Sequence, residues 1–181
     1  LGKSVPVAVA NAIVADRGAL KPQRQTATML FADIEGFTGL VERSDPAEVF
    51  AILNDYFSAI GAAIVDQGGV INQFQGDAVL ATFNLPVDDP DHAAAAVRAA
   101  LGIRQACEGR TFSGQAIRPR VGIATGEVIA GSVGSGSQLA YTVHGDAVNL
   151  AARLEQMNKR TDTNILIAGE TVRAAGQDLE A

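Results

Sequence analysis

Two aspartates, Asp33 and Asp77, are the residues whose type and spacing most suggest chemistry. Asp33 closes residues 26–33 (TATMLFAD), a run of β-branched and apolar side chains that reads as a buried strand ending in an acid. Asp77 sits in Gln75-Gly76-Asp77, between two apolar runs at 70–74 and 78–83. That pattern reads as a hairpin with a short turn. If the first strand lies beside the strand leaving the turn, both carboxylates meet at one sheet edge. Two hard oxygen donors there suit Mg²⁺ or Mn²⁺, which accept substrate phosphates as the rest of their shell. Taken singly, each aspartate reads as structural, because Gly-Asp is common turn chemistry. The metal reading therefore depends on the fold that joins them.

Two further groupings could act on a nucleotide-like anion. Ile34-Glu35-Gly36-Phe37-Thr38 follows Asp33 directly and runs toward a helix. Backbone amides at such a glycine turn make an anion cradle, although many strand–helix turns share the pattern. Asn149 and Arg153 are four apart on a predicted helix, so they share a face. An amide and a guanidinium there suit a ribose and a developing phosphoryl charge, and equally an ordinary exposed polar face. His92 and His144 are the only histidines; each reads as solitary, solvated or in a loop, and neither is assigned a catalytic role.

The elements that must position these residues follow from periodicity. Pro46 opens a helix with Asp45 as its N-cap, and Gly68-Gly69 ends it. Its apolar stripe is Val49, Leu53, Tyr56, Ile60 and Ile64, with Phe50, Ile52 and Phe57 beside it. An alanine-rich helix is predicted over 91–108, with Ala93, Val97, Ala100, Leu101 and Ile103 buried. A strand is expected at 117–124, a glycine-rich mixture of strand and loop at 126–136, a third helix at 146–157 and a last strand at 164–168. The third helix groups Val148, Ala151, Ala152 and Leu154 on one side. The order strand, helix, strand, strand, helix, strand is the ferredoxin-like βαββαβ plan. It predicts an α+β fold with a mainly antiparallel sheet and helices over one face, the third helix and late strand being additions.

Composition bounds the rest. The chain has 181 residues, 48% of them hydrophobic, enough for one full core and too apolar for a disordered tail. Fourteen basic against 20 acidic residues give a net charge of −6, which argues against nucleic acid as a partner. One cysteine, Cys107, permits no intrachain disulfide. No uninterrupted apolar run approaches the ~20 residues of a membrane helix. Residues 1–25 read as a flank: 5–14 as a short helix, then turn chemistry around Asp16-Arg17-Gly18 and a break at Pro22. The chain opens on Leu1 without a secretory pattern, so it is expected to be an excerpt of a longer, cytoplasmic or membrane-tethered protein.

Three blocks together carry a resemblance: LFADIEGFT at 30–38, INQFQGDAVLATF at 71–83, and VGIATGEVIAGSVG with AYTVHGDAVNLAARLE at 121–134 and 140–155. The chain resembles the class III nucleotidyl cyclase catalytic domain, the adenylate and guanylate cyclase family, over roughly residues 26–170, and the resemblance makes 26–181 that domain. The resemblance implies conversion of a nucleoside triphosphate, ATP or GTP, to a 3′,5′-cyclic monophosphate and pyrophosphate with two divalent cations. It makes Asp33, Asp77 and the Ile34 carbonyl metal ligands, and the Phe37–Thr38 region the triphosphate cradle. Gln73 and Thr142 become the readers of the base. Asn149 becomes the residue orienting the ribose, and Arg153 the group meeting charge at the α-phosphate. It further implies a head-to-tail homodimer, the aspartates from one chain and the Asn/Arg pair from the other.

The chain departs from that pattern twice. Adenylate cyclases usually carry lysine where this chain has Gln73. Lysine only donates, which suits adenine N1, whereas glutamine donates or accepts and serves either purine. Thr142 and the family's usual substrate favour ATP. A late lysine that contacts the triphosphate is absent; Lys159 and Arg160 come too early, so the catalytic domain is expected to be truncated at its C-terminal end. A guanylate or dual-specificity cyclase, a non-catalytic cyclase-homology module and a polymerase palm are the competing readings, the acidic balance weighing against the last.

Overall fold

The computed structural model describes residues 9–11, 21–135 and 138–176. Within the expected N-terminal flank, 9–11 are helical, and the rest of the expected short helix and the turn at 16–18 lie outside the described residues. From there the chain runs β1 (Gln23–Ile34), α1 (Phe37–Val41), α2 (Pro46–Val65), β2 (Val70–Gln75), β3 (Ala78–Phe83) and α3 (His92–Cys107). A small hairpin, β4 (Thr111–Phe112) and β5 (Gln115–Ala116), precedes β6 (Pro119–Ser135) and β7 (Gln138–His144). The chain continues through α4 (Asp146–Thr161), β8 (Ile165–Ile167) and α5 (Gly169–Ala175).

The main sheet has the order β2-β3-β1-β6-β7, every neighbour antiparallel, and β8 joins β6 in parallel. Strands β2, β3, β1 and β6 are the βαββαβ arrangement, with β6 as its last strand. Successive β1 residues face opposite sides of the sheet. Leu30, Ala32 and Ile34 join Val79, Ala81, Phe83, Val121 and Ile123 in the core beneath α2 and α3. Ala27 and Met29 join Ala124, Val128 and Ala130 in a second core beneath Ala147 and Ala151 of α4. Helices α2 and α3 thus cover one face as expected, and α4 covers the other.

Local chemistry explains the long helices. Asp45 caps α2 through a capping box: its carboxylate accepts from the Ala47 amide at 2.9 Å, and its own amide donates to Glu48 at 3.3 Å. Ile52, Tyr56, Ile60 and Ile64 form its buried stripe, while Phe50 is 68% exposed and Val49 and Leu53 lie at the stripe's margins. α2 is long and apolar enough to cross a membrane by length and composition alone. Those four residues seat it on the sheet instead, and its other face carries Glu48 and Asp55. α3 packs through its alanines, with Ile103 and Cys107. Leu101, expected inside, flanks that face and is 44% exposed.

The glycine-rich 126–136 region corrects an expectation. Through Ser135 it is the second half of one 17-residue strand, not a mixture of strand and loop. Earlier in the same strand, a Cβ on Gly122 would stand 2.1 Å from the Ala151 carbonyl oxygen and 2.3 Å from the Glu155 amide nitrogen. Glycine there marks where a helix backbone lies directly on a strand.

Candidate active site

Asp33 is the penultimate residue of β1, and the register sets it opposite Arg120 of β6. One Asp33 oxygen accepts from the Ile34 amide at 2.7 Å, and the other accepts from Arg120 Nη2 at 3.0 Å. The pairing of Ala32 with Val79 brings the β2–β3 turn alongside. In that turn Gly76 has φ +66°, and Asp77 comes close enough to Asp33 for the two carboxyls to interact electrostatically. The sheet thus brings together the two carboxylates that the sequence leaves far apart.

Their proximity has an electrostatic signature. Burial, followed by the hydrogen bond and charge of Asp33, pushes the Asp77 carboxyl up to about 7, against a weaker opposing pull from the backbone amides of Asp77 and Ile34. A third acid, Glu155 of α4, has only 6% of its surface exposed. Burial and the Asp33 charge push it up to about 7 as well, with Arg120 pulling the other way. Arg120 stands between Asp33 and Glu155, its Nε 3.2 Å from Glu155 Oε1. That ion pair is not aligned as a hydrogen bond, and both atoms are buried without another partner. One arginine among three acids leaves an excess of negative charge at the edge.

Such an edge fits a divalent cation by its donor chemistry. Among the described residues no group of three or more His, Cys, Asp or Glu side chains converges as a metal site. Asp33 and Asp77 are the two oxygen donors that this edge brings together.

The remaining expected residues do not all gather at this edge: the register sets Thr142 opposite Gly131, eleven residues along β6 from Arg120. Gly36 takes the left-handed conformation at φ +70° and opens the five-residue α1, where Phe37 packs against the core and Thr38 is exposed. Gln73 is exposed on β2, and Thr142 lies half-buried on β7 opposite Gly131. Asn149 and Arg153 share the exposed face of α4 with Leu150 and Met157. Among the described residues neither has a hydrogen-bond or ion-pair partner, and nothing joins them to Asp33 or Asp77 of the same chain.

His92 is not a solvated loop residue. It opens α3, half-buried, and its Nδ1 lies 2.7 Å from the Thr28 hydroxyl. His144, by contrast, is exposed at the end of β7.

Sequence reasoning missed Arg120 and Glu155. The signal was present in α4, whose buried stripe is Ala147, Ala151, Glu155 and Asn158. An acid at helical spacing among small residues needs a buried partner, and the strand beneath supplies one.

The family model described as adenylate and guanylate cyclase catalytic domain matches residues 20–179. Adenylate cyclase 1 of Rhizobium meliloti (strain 1021) is 42% identical over 154 residues, covering 82% of this chain and 23% of that protein. The adenylate cyclase of Anabaena cylindrica is 39% identical over 165 residues, covering 86% of this chain and 32% of that one. The chain thus spans a third or less of these relatives' length. Among solved structures, the guanylyl cyclase Cya2 superposes with a TM-score of 0.78 at 34% identity, over 85% of this chain and 80% of that one.

Proposed function

The chain belongs to the adenylate and guanylate cyclase catalytic-domain family, and from that premise we propose that it cyclises ATP to 3′,5′-cyclic AMP and pyrophosphate. The reading includes two divalent cations, Mg²⁺ or Mn²⁺, and a homodimer with shared sites. Residues 26–181 act as the output domain of a longer signalling protein, following a connector at 1–25.

The observation that carries this reading is the acid pair. Asp77 is raised to about 7 by burial first and by the neighbouring Asp33 second, and a cation would offset both. Asp33, Asp77 and the Ile34 carbonyl would hold the metals, which would there supply a lowered pKa at the ribose 3′-hydroxyl and positive charge for the leaving pyrophosphate. The Phe37–Thr38 segment receives the triphosphate on its backbone amides. From the partner copy, the amide at position 149 orients the ribose, and the guanidinium at position 153 meets the negative charge that grows on the α-phosphate. The exposure of Asn149 and Arg153, neither with a partner among the described residues, supports this division of labour.

Thr142 and the two adenylate cyclase relatives favour ATP. Gln73 in place of a lysine, and the similarity to a guanylyl cyclase, favour GTP as the second reading. Product analysis with ATP and with GTP in the presence of Mn²⁺ decides between them. Cyclic AMP is the expected main product. A dominant cyclic GMP signal reverses the assignment, and nucleotide binding without cyclic product makes the chain a non-catalytic module.

A further inference from the structure

β2 carries one residue more than its ladder uses. Val70 and Ile71 pair with Thr82 and Ala81, whereas Gln73, Phe74 and Gln75 pair with Leu80, Val79 and Ala78. Asn72 is the extra residue of a β-bulge. A slip of one residue turns every later side chain to the opposite face.

The neighbouring strands define those faces. Val79 and Ala81 belong to the core beneath α2 and α3. Leu80 lies across from Phe31, and Thr82 from Met29, on the face covered by α4. Without the bulge, Gln73 would follow Ile71 beneath α2. With it, Phe74 turns there instead, its ring 4.6 Å from that of Phe57. Gln73 turns to the face of Leu80, which is also the face of Asp33 and Arg120.

Asn72 itself is fastened. Its Oδ1 accepts from the Thr82 hydroxyl at 2.8 Å, and Thr82 is fully buried. Its Nδ2 is buried with no partner among the described residues. An unpaired buried donor is rare enough to need a reason, and the bulge supplies one.

We propose that Asn72, held by Thr82, is a positioning residue for base selection: it pins the bulge that aims Gln73 at the substrate face. This rests on the reading of Gln73 as a base contact. The test compares the ATP:GTP ratio of kcat/KM for the full chain with Asn72→Ala, Thr82→Val, Thr82→Ser and Gln73→Ala. The ratio is expected to move by about three- to tenfold in Asn72→Ala and Thr82→Val, the range of one lost hydrogen bond. Thr82→Ser, which keeps the hydroxyl, is expected to hold the wild-type ratio. A merely structural role would slow both substrates alike. A ratio that shifts in Gln73→Ala but not in Asn72→Ala overturns the proposal. If Gln73→Ala itself leaves the ratio unchanged, the base-contact reading fails, and the pin is judged by NMR from the Phe57–Phe74 ring contact in Asn72→Ala. Loss of that contact supports the pin, and its persistence overturns it.

Discussion

Two polar clusters lie within this sheet, and they are built on opposite plans. One is the charged edge of Asp33, Asp77, Arg120 and Glu155. The other runs through the middle of the sheet, where Thr28 bonds His92 and Thr125 at 2.7 Å each and Thr125 donates to Thr171 at 3.0 Å. The second is neutral, and each hydroxyl has its partner. It ties β1 and β6 to the starts of α3 and α5. The first has excess negative charge, two carboxyls raised to about 7 and an ion pair out of hydrogen-bond alignment. Satisfied polar groups hold a fold together, whereas under-satisfied acids wait for a ligand. Position alone does not separate the two clusters; their electrostatic balance does.

The contrast breaks first at the charged edge. Asp33→Ala and Asp77→Ala are each expected to lower cyclic-nucleotide formation by about a thousandfold, since lost metal charge stabilisation is worth several kcal/mol. Melting temperature should stay near wild type. A single mutant that remains active removes the metal role from that residue.

The two clusters also oppose one another in pH. A carboxyl raised to about 7 in the fold, against 3.8 otherwise, keeps a proton that the unfolded chain releases. In metal-free protein, Asp77 and Glu155 therefore contribute stability at low pH that is lost as pH rises from about 4 to about 7. Asp77→Asn should flatten that fall, and Mn²⁺ should raise the melting temperature more at pH 7.5 than at pH 5. Thermal melts across that range check both; a Mn²⁺ effect independent of pH contradicts the account.

The smallest effect belongs to the neutral cluster. Burial lowers the pKa of His92 below 6.5, although Asp89 and Asp91 pull it upward. A lowered histidine contributes stability above pH 6.5 that is lost as pH falls from there through its lowered value in the fold. His92→Gln should remove that acid sensitivity, and Thr171→Val should cost about 1 kcal/mol. Both should leave turnover at pH 7.5 near wild type. A collapse of activity in either would join the clusters into one functional unit.

Much of this was legible in local pattern. The strand ending in Asp33, the turn at Asp77 and the Asp45-Pro46 helix start are short-range signals, and each stands where the residue types put it. What escaped depends on distant segments meeting. Arg120 acquires meaning only opposite Asp33, and Glu155 only above Arg120. Residues 138–144 carry the Tyr-Thr-Val signature of a strand, but β7 needs the far half of β6 to pair with. The short α5 is held by Thr171 and Ala175 against partners far off in sequence. Alternation along β2 misplaces Gln73, because only the ladder to β3 reveals the extra residue.

In the proposed dimer the acidic edge of one copy and the Asn149–Arg153 face of another form one cyclising site. Mixing inactive Asp77→Ala with inactive Arg153→Ala and measuring cyclic product tests it most directly. In mixed dimers one of the two sites is then intact. Recovery to about a quarter of wild-type activity is expected for equal, freely exchanging subunits. No recovery, with mixed dimers demonstrably formed, contradicts it.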